Sequence, residues 1–236
     1  DIHNNTMVVG APGRNPLSDF GAGAVYVYQK IDNHWVEEAF ITAPNIGESD
    51  KFGYCTAIYN DVIVVGAPYE DTSQDTIALN IDDINVNDDE EWSGAVYVYR
   101  KIGGIWQFEA YLKASNNRLG QEFGFSVDIF NNTIVVGSHC EFNNYKGVLN
   151  NDTNIPQNYT GANYSGAVYV FEYSIEDKWK QTAYIKAVNN DVDNWFGFKV
   201  RIYENTIAVA ADSEDSSFSG IINGNTAPTD KSSSWS

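Results

Sequence analysis

The hexapeptide GAVYVY at Gly23–Tyr28 occurs again at Gly94–Tyr99 and, with a final Phe, at Gly166–Phe171. Successive side chains of a strand point to opposite faces, so the two valines of the hexapeptide face one way and its alanine and tyrosines the other. Both faces are apolar, and a strand with two apolar faces must be covered on both sides. The hexapeptide therefore predicts a strand inside a sheet that packs between two neighbouring sheets.

Three further segments recur with the hexapeptide, in constant order and about every seventy residues, which indicates a repeat protein. The Phe-Gly pairs are Phe52-Gly53, Phe123-Gly124 and Phe196-Gly197, the leading tryptophans are Trp35, Trp106 and Trp179, and VVGAP at Val8–Pro12 and Val64–Pro68 becomes VVGSH at Val135–His139 and AVAAD at Ala208–Asp212. All these segments are short, rich in β-branched and aromatic residues, and separated by Gly, Asn, Asp and Pro, which is typical of strands.

Four antiparallel strands per repeat, with each sheet packed between its neighbours, predict an all-β fold, a β-propeller of which about three and a half blades are present. The repeat units are 1–51, 52–122, 123–195 and an incomplete 196–236, with three, four, four and two strands. The sequence opens at Asp1 inside a blade and ends at Trp235-Ser236, just before another hexapeptide would begin. We therefore expect either a longer polypeptide or copies that complete one another head to tail.

The pairs such as Phe123-Gly124, the stretch Val65–Pro68 and the hexapeptide Gly94–Tyr99 resemble the FG-GAP repeat, which is best known from the propeller of integrin α subunits. The resemblance implies a ring that usually has seven blades and an extracellular binding or adhesion surface. Integrin-like blades often carry a calcium loop between their first two strands. The corresponding positions here are short Asn-based turns, as in IYNDVIVVG, and such turns cannot supply six to eight oxygen ligands. The calcium sites are therefore not carried over, and we predict no metal and no cofactor.

The charge of the chain bears on its partners, because 32 Asp and Glu face only 14 Lys and Arg, for a net charge of -18. Such a surface repels phosphate backbones and anionic lipids, which argues against binding to nucleic acid or to a membrane surface. No apolar run approaches the roughly 18 residues of a membrane helix, so no membrane insertion is expected within this chain. The expected partners are a protein or glycan ligand, or further copies or remaining blades of the same protein. No catalytic motif is present, and His3, His34 and His139 occupy different positions of their repeats without a recurring catalytic partner, so we predict that the chain is not an enzyme.

The loop between the second and third strand varies most from repeat to repeat, and variable loops on a rigid scaffold usually carry function. In the second repeat it is Glu70–Ser93, with nine acidic residues and no Lys or Arg. A weak divalent-cation or basic-partner site and a merely solvated loop both remain open for it. The candidate binding residues on this face are Glu70, Asp82, Asp83, Asp88, Asp89, Glu90, Trp92, Tyr159 and Tyr164.

The corresponding loop of the third repeat, Glu141–Ser165, is rich in Asn and holds three glycosylation sequons, and two more fall on tight hairpin turns. The candidate N-glycosylation sites are Asn4, Asn131, Asn151, Asn158 and Asn163. Loops and turns are places where a glycan is tolerated.

The sequence also predicts where the aromatic residues and the two cysteines lie. The hexapeptide tyrosines and the tryptophans that lead the last strands are predicted to pack between blades, whereas Trp92, Trp195 and Trp235 are candidate surface anchors. For Cys55 and Cys140, expected near one face, both a disulfide and two free thiols remain open.

The function that these features favour is a non-enzymatic extracellular recognition or adhesion module, which presents long loops from a rigid propeller. Two alternatives remain: a structural subunit of an extracellular glycosylated assembly or filament, and the accessory propeller of a larger secreted hydrolase.

Overall fold

The structure, a computed structural model, describes residues 1–16, 19–151, 154–217 and 219–224. Within these ranges the chain is built from β-strands, with one short 3-10 turn at Ile81–Asp83. The strands are β1 (Ile2–His3), β2 (Thr6–Ala11), β3 (Ala24–Ile31), β4 (His34–Ile41), β5 (Cys55–Tyr59), β6 (Val62–Ala67), β7 (Ala95–Ile102), β8 (Ile105–Leu112), β9 (Ser126–Phe130), β10 (Thr133–Ser138), β11 (Gly147–Asn150), β12 (Ala167–Ser174), β13 (Lys178–Lys186), β14 (Phe196–Tyr203) and β15 (Thr206–Ala211). No helix in the described part of the chain is long and apolar enough to cross a bilayer.

The strands form four antiparallel sheets, one per repeat, in the orders β1-β2-β3-β4, β5-β6-β7-β8, β9-β10-β12-β13-β11 and β14-β15. The first strands contact one another from sheet to sheet, β1 with β5, β5 with β9 and β9 with β14, so the sheets fan around a common axis. The chain thus forms part of a β-propeller, and the predicted fold class is confirmed.

Two strand counts predicted from the sequence are wrong. The first sheet has four strands because Ile2 and His3 pair with β2. The third sheet has five, because β11, inside the long loop, pairs with the outer edge of β13. This pairing satisfies backbone groups that would otherwise form an open sheet edge. Two strands of the fourth repeat lie in the described ranges, and Trp235-Ser236 lies outside them.

The turns between the first and second strand of each sheet are as tight as the sequence predicts, with two residues between the strands. The first residue of each turn is left-handed: Asn4 (φ 53°), Asn60 (φ 50°), Asn131 (φ 52°) and Glu204 (φ 51°). Asn tolerates this region better than other residues with a side chain, which explains why three of the four turns begin with Asn.

The hexapeptide tyrosines of the second and third repeats pack between sheets, as predicted. The prediction is wrong for Tyr26 and Tyr28 of the first repeat, which are only partly buried because no sheet precedes β1–β4 in the described chain. Tyr97 and Tyr169 are fully buried. The ring of Tyr97 meets Phe52 of its own repeat's Phe-Gly pair at a centroid distance of 5.1 Å, and Tyr169 meets Phe123 at 5.2 Å. The Phe-Gly motif and the hexapeptide therefore recur together because each supplies one half of the contact.

Two of the three tryptophans that lead the last strands also pack against the preceding sheet. The indole Nε1 of Trp106 donates to Glu38 Oε2 in the preceding sheet (3.1 Å), and that of Trp179 donates to Glu109 Oε2 (3.1 Å). Trp35 remains 41% exposed. The prediction of inter-blade packing is wrong for Trp35, because no sheet precedes β1–β4 in the described chain.

Nine glycines set the distance between the sheets. They are Gly10, Gly66 and Gly137 in the second strands, Gly23, Gly94 and Gly166 before the third strands, and Gly53, Gly124 and Gly197 of the Phe-Gly pairs. A Cβ atom on any of them would lie 1.9–2.6 Å from a main-chain carbonyl oxygen of the adjacent sheet. Neighbouring backbones therefore touch directly at these points, which explains why glycine recurs at these positions.

Candidate recognition face

Both long loops lie at the same end of the sheets. The strands are antiparallel, so the loops between second and third strands share that end with the connections from each sheet to the next. We call it the loop face: residues 12–16, 19–23, 68–94, 139–151 and 154–166 together with the connections 42–54, 113–125 and 187–195. The two-residue turns lie at the opposite end.

A buried ion pair anchors the loop of the second repeat. Lys113 Nζ, at the end of the outer strand β8, lies 2.9 Å from Glu70 Oε2, and both side chains are at most 2% exposed. Lys113 also donates to Ser93 Oγ (2.8 Å), while the Ser93 hydroxyl bonds the main-chain oxygen of Glu70. The two ends of the 70–93 loop are thereby tied to one lysine. Glu70, expected on the binding surface, lies instead in the interior, since its carboxylate is needed there to pair the buried ammonium.

The third repeat repeats this anchor. Lys186 Nζ lies 2.6 Å from Glu141 Oε2, with both side chains fully buried, and donates to Ser165 Oγ (2.7 Å). Asn116, in the preceding connection, donates to Glu141 Oε1 (3.1 Å) and accepts the hydroxyl of Tyr169 (2.8 Å). Burial lowers the pKa of Lys186, and the Glu141 carboxylate opposes that shift. Each long loop is therefore held by charged hydrogen bonds at its base.

The sequence analysis missed these anchors, although a signal for them exists. Glu follows the VVGAP-type segment by two residues in repeats two and three, and Lys ends the last strand of the same repeats. The first repeat has Arg14 and Thr42 at these positions, so Glu and Lys are present together or absent together. Joint occurrence of opposite charges in a repeat indicates a pair.

The acidic loop presents most of its charge to solvent. Asp82 and Asp83 lie on the exposed 3-10 turn, Asp88 and Asp89 are exposed, and Glu90 is half-buried, where its carboxylate accepts from the backbone N–H of Leu119 (2.7 Å). A cleft of about 470 Å³ beside this loop is lined by acidic side chains from two sheets. They are Asp19, Asp50, Glu70, Asp71 and Asp88.

Asp50, a buried residue in the lining of this cleft, makes the free energy of unfolding depend on pH. Burial, reinforced by the charges of Glu70 and Asp71, raises the pKa of Asp50 from 3.8 to about 8. Between these values the folded state holds a proton that the unfolded state releases, so the free energy of unfolding falls as the pH rises from about 4 to about 8. We expect Asp50→Asn to remove this part of the pH dependence and to raise stability at pH 8 relative to pH 5.

Denaturant unfolding at pH 5 and pH 8 measures this effect. The control is Asp82→Asn, which makes the same charge change at an exposed position of the neighbouring loop. An equal shift in the two variants would show that net charge, and not burial of Asp50, is responsible.

Two aromatic side chains stand at equivalent positions of the two long loops. Trp92 and Tyr164 each precede the Ser-Gly that leads into the hexapeptide, and they are 50% and 49% exposed. Both have left-handed backbone, with φ of 55° and 52°, where the first repeat has Gly21. Bulky residues in this region cost about 1–2 kcal/mol, and such strain concentrates at functional sites.

The remaining aromatic candidate, Tyr159, is half-buried under the guanidinium of Arg118, whose Cζ lies 4.2 Å from the ring centroid. Next to it a cleft of about 260 Å³ opens on the loop face between the second and third repeats, lined by Leu119, Gly120, Phe142, Asn163 and Tyr164. Tyr164 thus forms a wall of an apolar cleft, whereas Tyr159 mainly packs on Arg118. Trp195 is half-buried against Phe198, and Trp235 lies outside the described residues.

The five candidate glycosylation asparagines are all exposed. Asn4 and Asn131 lie on the turns opposite the loop face, whereas Asn151, Asn158 and Asn163 lie in the long loop of the third repeat. Thr153, which completes the first of these three sequons, is outside the described residues. The geometry leaves each asparagine accessible to modification.

Both cysteines are free thiols, so of the two alternatives the disulfide is wrong. Cys55 Sγ donates to the carbonyl oxygen of Gly124 in the next sheet (3.0 Å). Cys140 lies beside His139 and Glu122. This contact was not predicted from the sequence, because none of the three residues recurs at the same position of another repeat.

These sheets, interleaved glycines and anchored loops define the class of the protein: a β-propeller segment that presents loops from one face. A comparison with protein-family models agrees, because the model of the FG-GAP repeat matches residues 35–78 and 106–171. The chain therefore carries FG-GAP repeats, as the sequence resemblance implied. No curated protein matches the chain.

Proposed function

We propose that the chain is a non-enzymatic, extracellular recognition module that binds a protein ligand through its loop face. The observation that carries the proposal is the pair Trp92 and Tyr164, two half-exposed aromatic side chains at equivalent, strained backbone positions of neighbouring repeats. The first repeat has Gly21 at the same left-handed position, so the fold does not require an aromatic side chain there. Aromatic residues with a polar edge are the side chains that most often dominate binding energies.

The chemistry of the loop face favours a ligand with basic side chains. Asp82, Asp83, Asp88 and Asp89 are exposed on the same loop of the second repeat as Trp92, and no Lys or Arg lies in that loop. Complementary charge would speed encounter with a cationic ligand, and the aromatic rings would supply apolar contact. The buried anchors Glu70–Lys113 and Glu141–Lys186 hold the loops before binding, which reduces the ordering entropy that binding costs.

An extracellular location is part of the proposal. FG-GAP repeats are typical of extracellular proteins, and the exposed sequons on loops and turns agree with passage through a secretory pathway. Glycans at Asn4 and Asn131 would extend from the end opposite the loop face and leave it free.

Peptide selection followed by variant analysis tests the proposed function. We expect a random peptide display library to yield Lys- and Arg-rich binders to the chain, whose affinity falls at high salt. Tyr164→Gly and Trp92→Gly should each weaken binding by about 2 kcal/mol or more, the usual effect of removing an aromatic hot spot. Tyr164→Gly should leave the free energy of unfolding unchanged or raise it by about 1 kcal/mol, because glycine relieves the left-handed strain.

The control is Tyr203→Ala, which removes a tyrosine that is 68% exposed, outside the loop face beside the turn at Glu204. Selected peptides that bind equally well to Tyr164→Gly and Trp92→Gly would contradict the proposal. Binding to a glycan array without peptide binding would assign the face to sugars instead.

A further inference from the structure

Three side chains with metal-binding atoms meet at the inner part of the loop face. They are Glu122, at the end of the connection into the third repeat, and the adjacent residues His139 and Cys140, which follow β10. One ligand atom from each lies within 4.8 Å of the other two. His139 Nε2 is 3.4 Å from Cys140 Sγ and 3.8 Å from Glu122 Oε2.

These separations are close to those of a tetrahedral zinc centre. Bond lengths of about 2.0–2.3 Å and the tetrahedral angle require about 3.3–3.6 Å between ligand atoms. The 3.4 Å between His139 Nε2 and Cys140 Sγ lies in this range, and the 3.8 Å between His139 Nε2 and Glu122 Oε2 lies just above it, by an amount that a small side-chain rotation covers. Thiolate, imidazole and carboxylate are also the three ligand types that Zn²⁺ takes in proteins.

The cluster is not a product of the repeat. Position 122, the last of the second unit, corresponds to Lys51, the last of the first, and His139 and Cys140 correspond to Pro68 and Tyr69 of the second unit. Residues that pack the blades recur, as the glycines and the buried Glu–Lys pairs do. These three residues occur together only where VVGAP has changed to VVGSH, so packing of the blades does not explain them.

The surroundings of His139 form a built site. The imidazole is 6% exposed, and Phe125, Trp195 and Phe198 surround it, the ring of Phe125 at a centroid distance of 3.9 Å. Its Nε2 faces Cys140 Sγ and Glu122 Oε2, whereas its Nδ1 is buried and bonds to no partner in the described part of the chain.

We propose that Glu122, His139 and Cys140 bind a Zn²⁺ ion on the loop face. The Cys140 thiol releases its proton to solvent and binds as thiolate, His139 binds through Nε2, and Glu122 binds through a carboxylate oxygen. Three protein ligands leave the fourth position for water or for a group of a bound partner. The Glu122 side chain is 15% exposed, so this position opens toward solvent. The sequence analysis predicted no metal, and this site differs from a calcium loop in both its place and its ligands.

Metal titration of the purified, metal-stripped chain tests the proposal. We expect one Zn²⁺ per chain by calorimetry, and one Co²⁺ whose spectrum has the visible bands of tetrahedral cobalt and a thiolate-to-metal charge-transfer band. Ca²⁺ and Mg²⁺ should not compete, because they prefer all-oxygen sites. Affinity should fall as the pH is lowered, since the thiol proton competes with the metal.

Variants separate ligation from packing. Cys140→Ser and Cys140→Ala should abolish the charge-transfer band and weaken Zn²⁺ binding by more than the roughly 10–100-fold that changes outside the ligand shell cause. Glu122→Gln should weaken binding while the band remains. Cys55→Ser, which removes the other thiol, should change neither.

Unfolding curves measured without metal show whether each variant still folds. A charge-transfer band that survives in both Cys140 variants would overturn the proposal, as would a wild-type chain that binds no Zn²⁺ at micromolar concentration.

Discussion

Lys186→Met is expected to lower the free energy of unfolding by about 3–5 kcal/mol, because it leaves the Glu141 carboxylate buried without its counter-charge. Lys186 and Glu141 are both fully buried, 2.6 Å apart, and the serine that ends the loop depends on the same ammonium. Denaturant unfolding followed by tryptophan fluorescence measures the loss.

Two further variants identify the cause. Lys101→Met removes a lysine paired with Glu38 at a partly exposed position, and we expect it to cost about 1 kcal/mol or less. The double variant Glu141→Gln/Lys186→Met should recover part of the stability lost in Lys186→Met, because no unpaired charge then remains in the interior. A double variant less stable than Lys186→Met would show that the lost packing, and not the orphaned charge, dominates.

Gly94→Ala is expected to destabilise the fold by about 3 kcal/mol or more, through left-handed strain together with overpacking. The added Cβ would lie 2.1 Å from the carbonyl oxygen of Phe123 in the next sheet. Backbone atoms on both sides cannot move aside as a flexible side chain would, so the two sheets have to separate.

Gly104→Ala is the matched control for backbone strain. Gly104 has φ of 85°, close to the 82° of Gly94, yet a Cβ there would meet nothing within 4 Å. We expect this variant to lose only about 1 kcal/mol. Thermal and denaturant unfolding of the two proteins compare them directly, and equal losses would refute the claim that backbone contact sets the spacing of the sheets.

Much of the fold could be predicted from the sequence because its packing residues recur. The hexapeptide is apolar on both faces, and the structure buries Tyr97 and Tyr169 between sheets as that pattern requires. The tight Asn turns were predictable because their length and residue type determine the backbone. Trp35 shows the limit of this reasoning, since burial depends on a neighbouring sheet and not on the residue itself.

The parts of the candidate site that escaped prediction are those that depend on a partner far along the chain. An acidic residue at a loop start normally indicates a solvated position, but Glu70 is buried because Lys113 pairs with it across 43 positions. Strand β11 could not be predicted either, since its four residues are ordered by the edge of β13. Likewise, Glu122 and His139 meet only once the strands between them, β9 and β10, have paired.

The fourth sheet has an alanine at one position where the other three sheets have a glycine that contacts the adjacent backbone. Ala210 pairs with Lys199 at the register where Gly66 pairs with Cys55 and Gly137 with Ser126. At the three glycine positions of this register, a Cβ would lie 1.9–2.1 Å from a carbonyl oxygen of the following sheet. The methyl group of Ala210 therefore acts as a spacer. A sheet that packs on that side of β15 has to lie at a larger distance or at a different angle than the other sheets do. The two ends of the described array are therefore not interchangeable.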